Sequence, residues 1–121
     1  MTTNKRRPNM PFITVKIPTA KHKLDIEKLG QDISTQTPLE LNRVNVIITT
    51  MDSETFFRGN ATDYPVVHVE AGIGNGKEFI QKLLRTATGL VEKQLNLPEN
   101  SVTGYSHPIE EGYLLVNGEL R

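Results

Sequence analysis

The sequence predicts an α+β fold: two tandem βαβ units forming a four-stranded mixed sheet with two helices on one face, plus a short C-terminal strand or hairpin. Three observations predict it. A period-2 stretch opening on Met10-Pro11 recurs residue for residue at Tyr64-Pro65. Each copy is followed by an amphipathic helical stripe. Each stripe is followed by a second strand, reached through a segment carrying proline, glutamate and asparagine before a valine.

Met10 to Ile17 alternates cleanly, with Ile13, Val15 and Ile17 on one side and Phe12, Thr14 and Lys16 on the other. Pro18 and Thr19 turn the chain. Leu24, Ile26, Leu29 and Ile33 then give a helical stripe with Asp25, Glu27, Lys28 and Asp32 outside it. Gly30 weakens this helix by about 1 kcal/mol relative to alanine, and Pro38 ends it. Val44 to Thr50 is β-branched and nearly continuous in its apolar character, the pattern of a buried strand in a parallel pairing. Asp52 to Asp63 is a loop whose adjacent Phe56 and Phe57 need burial in the core, a pocket or a partner.

In the second unit Val67, Val69 and Ala71 take the places of Ile13, Val15 and Ile17. Ile80, Leu83, Leu84, Ala87, Leu90, Val91 and Leu95 form one broad stripe, with Lys77, Glu78, Lys82, Arg85, Glu92 and Lys93 largely off it. Pro98 closes the helix and Ser101 to Ser106 is the fourth strand. Tyr113 to Leu120 reads as a short strand or hairpin around Asn117-Gly118, able to cap the sheet edge or pair with a neighbour's edge. With both helices on one side, the other sheet face carries Thr14, Lys16, His68 and Glu70 with Phe12 and Val66. That surface is too mixed for a core and too apolar to leave bare, which predicts self-association through it.

Composition narrows the function classes. The 121 residues suit one domain with a modest core. No cysteine is present, which excludes disulfides and thiol catalysis. Lys5, Arg6 and Arg7 hold three of the fourteen basic residues. The rest of the chain sets eleven basic against fourteen acidic residues, a net −3. An acidic body with a short basic arm does not read as a nucleic-acid module. Residues 1–9 are read as a flexible N-terminal extension or residues upstream of a mis-assigned start, with a phosphate-binding arm as the alternative. Residues 10–121 form a single domain, repeat one over 11–64 and repeat two over 65–121. No apolar run of signal-peptide or membrane-spanning length is present, so the expectation is a cytoplasmic protein without a membrane partner.

The chemistry-bearing residues leave open readings. If Met10 starts the natural chain and is removed, Pro11 presents a free secondary amine at the mouth of a strand. If Met1 starts it, Pro11 is an ordinary internal residue of the kind that begins edge strands. Gly72-Ile73-Gly74-Asn75-Gly76 before the second helix is either a strand-to-helix turn or an anion cradle. His22, His68 and His107 show no ligand spacing, so neither a metal nor another cofactor is expected.

Two βαβ units, each opening on a proline, resemble the tautomerase superfamily over Pro11 to about Pro108. Pro38-Leu39 with Val46-Ile47-Ile48-Thr49 and Met51 is similar to 4-oxalocrotonate tautomerase. Leu95 to Val102 is similar to macrophage migration inhibitory factor, and the tyrosine-proline strand with Asn117-Gly118 looks like an uncharacterised bacterial branch. The resemblance implies a homotrimer with sites between subunits. It implies keto-enol proton transfer on a small 2-oxo or enol acid, a small-molecule carboxylate. Pro11 would be the base, Lys21 and Arg58 the anion partners, and Phe56 the apolar wall. Asn45 stands where the 4-oxalocrotonate enzymes carry a polarising arginine, and Thr37 where the inhibitory-factor branch has a lysine. Those departures leave a second expectation, a non-catalytic trimeric binding or scaffold protein of the same fold.

Overall fold

The computed structural model describes residues 10–21, 23–60 and 62–121; the predicted extension over 1–9 and His22 lie outside the described residues. Strand β1 (Phe12–Pro18) buries Ile13, Val15 and Ile17 completely and leaves the alternate side chains half-covered, as period-2 alternation dictates. A 3₁₀ turn over Thr19–Lys21 follows. Helix α1 (Ile26–Gln36) starts because the Asp25 carboxylate accepts the Lys28 amide, capping one of the orphan donors of the first turn. It buries Leu29 and Ile33, while Ile26 stays partly exposed. Thr37 is extended, the conformation that Pro38 imposes on the residue before it.

Strand β2 (Asn45–Met51) pairs parallel with β1, from Phe12 with Asn45 to Pro18 with Met51. The expectation of a fully buried strand needs correcting. The sheet order is β2-β1-β3-β4, so β2 is an edge. Val46 and Ile48 pack on the core, while Ile47 points to the uncovered face and is about half exposed. The apolar run is continuous, but only one face has a helix to cover it.

Strand β3 (Val66–Gly72) repeats β1 in length and burial, and another 3₁₀ turn, Ile73–Asn75, follows it as the first follows β1. Pro11 and Pro65, one residue ahead of each strand, are both fully buried. β3 lies antiparallel to β1, with Thr14 opposite His68. Helix α2 (Lys77–Leu95) buries Ile80, Leu83, Ala87, Leu90 and Val91, and Asn96 ends it in the left-handed conformation. Strand β4 (Thr103–Ile109) then pairs parallel with β3. Both helices cover the face that carries Ile13, Val15, Ile17, Val67 and Val69, forming a single core. The Gln94 side-chain amide both accepts from the Asp25 amide and donates to its carbonyl, which ties the end of α2 to the start of α1.

Strands β5 (Leu115–Val116) and β6 (Glu119–Leu120) form the expected hairpin. Asn117 and Gly118 both have positive φ, 52° and 80°, as a type I′ turn requires. Within the chain the hairpin remains a separate two-stranded sheet and caps neither edge of the larger one.

Two tight points join α2 to β4. A Cβ on Gly104 would stand 2.7 Å from Thr88 Cγ2 and 2.9 Å from Leu84 Cδ1, so helix and strand approach closely only because this residue has no side chain. Glu92, expected off the apolar stripe, is instead buried. Its carboxylate accepts the Asn100 amide at 3.1 Å and the Val102 amide at 2.9 Å. These bonds satisfy two backbone donors in the connection where no strand or helix can.

Gly104→Ala is expected to cost about 1–3 kcal/mol in urea unfolding, because the β-branched Thr88 cannot move away. Gly89→Ala, on the exposed side of α2 with nothing within 4 Å, is expected to gain up to about 1 kcal/mol. Glu92→Ala leaves two amides unpartnered and is expected to lose about 2–4 kcal/mol in the same measurement. Glu92→Gln, which keeps one acceptor oxygen, is expected to lose less.

Candidate functional site

The antiparallel β1–β3 pair gives the sheet two chemically different ends. At one end lie Pro11, the start of β2 and the ends of β3 and β4. Asn45 Nδ2 donates to the Pro11 carbonyl at 3.2 Å, fixing the backbone at the head of β1. Continuing the register past Phe12–Glu70 sets Pro11 opposite Ala71, so the Gly72 to Gly76 turn and the start of α2 share this end. Asn75 Nδ2 donates to the Gly72 carbonyl and holds that turn.

At the other end lie the 3₁₀ turn after β1, the loop before β3 and Pro65. Lys21 is there, 3.4 Å from the Asp63 carboxylate in an exposed ion pair. Arg58 Nη1 donates to the Tyr64 carbonyl at 3.0 Å, so its guanidinium braces the residue before Pro65. Phe56 is half-buried and Phe57 is 91 % exposed. A cleft of about 370 Å³ opens here, lined by Lys21, Lys23, Asp63, Tyr64, Pro65 and Asn96 among others.

The residues singled out in the sequence are therefore not gathered within one chain. Lys21 and Arg58 flank Pro65, and the seven residues of β1 separate them from Pro11 by roughly 20 Å at strand rise. Linear reading placed Lys21 after the first strand. It could not show that antiparallel pairing puts that position beside the second proline rather than the first.

The uncovered sheet face holds a second constellation, which spacing along the chain does not reveal. Register places His68 beside Tyr105 and Glu70 beside His107. The His68 and Tyr105 rings stack with centroids 4.5 Å apart, and His107 stands edge-on to both. His68 Nε2 and His107 Nδ1 share a proton at 3.2 Å. Lys16 Nζ donates to the Tyr105 hydroxyl at 2.9 Å. The signal that finds this cluster is the strand register: two histidines 39 residues apart meet because their strands are neighbours. Burial, with the positive charge of Lys16 and His107, holds the His68 pKa below its ordinary value of 6.5, against the opposing pull of Glu70.

No known family profile matches the sequence, and no curated protein resembles it. Solved structures do match. The chain superposes on a fused 4-OT asymmetric trimer with a TM-score of 0.76 at 15% identity, covering 90% of this chain and 94% of that one. It superposes on Pt0534 inactivated by 2-oxo-3-pentynoate at 0.72 and 14% identity, again over 90% and 94%. A member of the cis-3-chloroacrylic acid dehalogenase family matches at 0.69 and 18% identity, over 90% of this chain and 82% of that one.

The lowered His68 pKa has a signed consequence. The folded protein keeps His68 neutral to lower pH than the unfolded chain does, so the unfolded state binds the extra proton first. Stability at pH 7 is therefore expected to decline as pH falls below about 6.5 and to level off below the folded value. Urea midpoints in chelator-containing buffer between pH 7 and 5 measure this, and His68→Gln is expected to flatten the decline.

Proposed function

We propose that this chain, which has the fold of the tautomerase superfamily, is a tautomerase that moves a proton between carbon and oxygen of a small 2-oxo or enol acid. Pro11 serves as base once the residues before it are removed. The observation that carries the reading is the place of Pro11: fully buried at the head of an inner strand. Burial disfavours a charged ammonium and so holds a secondary amine in its neutral, basic form. A base near neutral pKa, with a cation to stabilise the developing enolate, is what this chemistry needs. Two of the matched structures support a small carboxylic acid as substrate, since one was inactivated by the 2-oxo acid 2-oxo-3-pentynoate and another belongs to a chloroacrylic acid dehalogenase family.

The anion partners come from another copy. Lys21 and Arg58 stand at the Pro65 end of their own chain, and a homotrimer that brings that end to a neighbour's Pro11 completes the site with Phe56 as its wall. Support for assembly comes from the uncovered sheet face, where Ile47 and Tyr105 are exposed beside the half-covered Phe12 and Val66. The fused 4-OT structures are themselves trimers. A second reading, a trimeric scaffold without chemistry, is favoured by Asn45. It binds the Pro11 carbonyl at the position where the resemblance calls for an arginine.

Intact mass and amino-terminal sequencing of the natural protein come first; a mature chain beginning at Met1 or Thr2 sinks the proline mechanism. For a chain beginning at Pro11, ketonisation of 2-hydroxymuconate or phenylenolpyruvate is expected. Pro11→Ala should lower kcat/KM by at least about a hundredfold, the lower range of what a positioned base contributes. An undiminished rate in that variant overturns Pro11 as the base, and a rate no higher than background in the chain beginning at Pro11 favours the scaffold reading instead.

A further inference from the structure

We propose that His68, Glu70 and His107 bind one Zn²⁺ ion per chain on the uncovered face of the sheet. The side chains converge for a topological reason. His68 and Glu70 are two residues apart on β3 and so project from the same face. β4 runs parallel beside it, with His107 in register with Glu70. Nitrogen and carboxylate oxygen atoms of the three residues all lie within 4.8 Å of one another.

The distances suit a shared ion. Zn–N bonds of about 2.0–2.1 Å at a tetrahedral angle set two ligand nitrogens about 3.3 Å apart, and His68 Nε2 and His107 Nδ1 stand at 3.2 Å. In the metal-free protein one imidazole must donate a proton to the other across that gap. Zn²⁺ takes a lone pair from each ring, the donor ring then carrying its proton on its other nitrogen, so both imidazoles stay neutral. The Glu70 carboxylate lies within 4.8 Å of both ring nitrogens, and it supplies the negative charge that a site of two neutral imidazoles lacks. Tyr105, stacked on His68 with planes 12° apart, fixes the ring that carries Nε2. The Lys16 ammonium is tied to the Tyr105 hydroxyl rather than to Glu70.

Two histidines and a glutamate form a three-ligand set of the open kind, leaving a fourth position for water or an anion. Borderline nitrogen and oxygen donors select zinc and its transition-metal neighbours over Mg²⁺ or Ca²⁺. The site lies on the sheet face that the homotrimer reading uses for assembly, but apart from Pro11, which shares the strand-face parity of the buried Ile13 and Val15.

The test uses the untagged full chain, stripped with chelator, dialysed and titrated with Zn²⁺ in a calorimeter. Expected are one ion per chain, a rise in Tm on binding and no response to Mg²⁺. His107→Gln and His68→Gln are each expected to weaken binding at least about tenfold, since loss of an outer partner alone costs about 10–100-fold. Glu70→Gln, which keeps the side-chain shape, should also weaken it, and Co²⁺ should give a visible absorption that the variants lose. Melting curves in chelator establish that each variant is folded. Absence of Zn²⁺ binding, or equal binding by native protein and all three folded variants, overturns the proposal.

Discussion

Five residue pairs, from Phe12 with Glu70 to Lys16 with Val66, join the two halves of the molecule. Each half alone is a pair of parallel strands with one helix, and neither could bury its apolar strand face. Antiparallel contact between β1 and β3 merges the two half-faces into one core, places both helices on the same side and sends β2 and β4 to the edges. It also decides which residues meet at each end of the sheet. The buried face thus depends on one central seam, whose side chains alternate between core and open surface, and the seam adds Lys16 to the polar cluster that β3 and β4 form.

The halves are not equally finished. In the second, α2 runs for 19 residues and presses close enough on β4 that only glycine fits at 104. The buried Glu92 carboxylate then holds the connection in place through two backbone amides. In the first, α1 has only 11 residues, while its following strand, like β4, lies half-exposed at an edge. Both halves nonetheless contribute to the single core, Leu29 and Ile33 from α1 facing the same cluster as Leu83 and Val91 from α2.

What the sequence made legible follows from the range of the forces involved. Strand alternation, the α2 stripe and the Asn117-Gly118 turn are local patterns, and the repeat reinforced them, so the architecture could be read directly. Burial of Glu92 could not, because it depends on two amides that only the folded connection brings within reach. The Val44 to Thr50 run showed that a strand forms but not that it lies at an edge. Nor could linear order show that Lys21 accompanies Pro65, or that His107 reaches His68. Those are consequences of strand register, which spacing along the chain does not encode. Pro11 was visible as a residue, while the partners around it depend on what lies beyond a single chain.

Pro11 and Pro65 occupy matching places, each fully buried one residue ahead of its strand. Fusion of the two units into one chain makes these places unequal in kind. Pro65 has a peptide bond on both sides in any chain that includes the first unit, so its nitrogen is an amide and has no basicity to offer. Whatever chemistry its twin can acquire through processing, this position is covalently silenced. A fold with near-twofold symmetry is in this way committed to at most one reactive end per polypeptide. The cleft at the silent end, with Lys21 on its lining, is then left to supply binding groups rather than a base of its own.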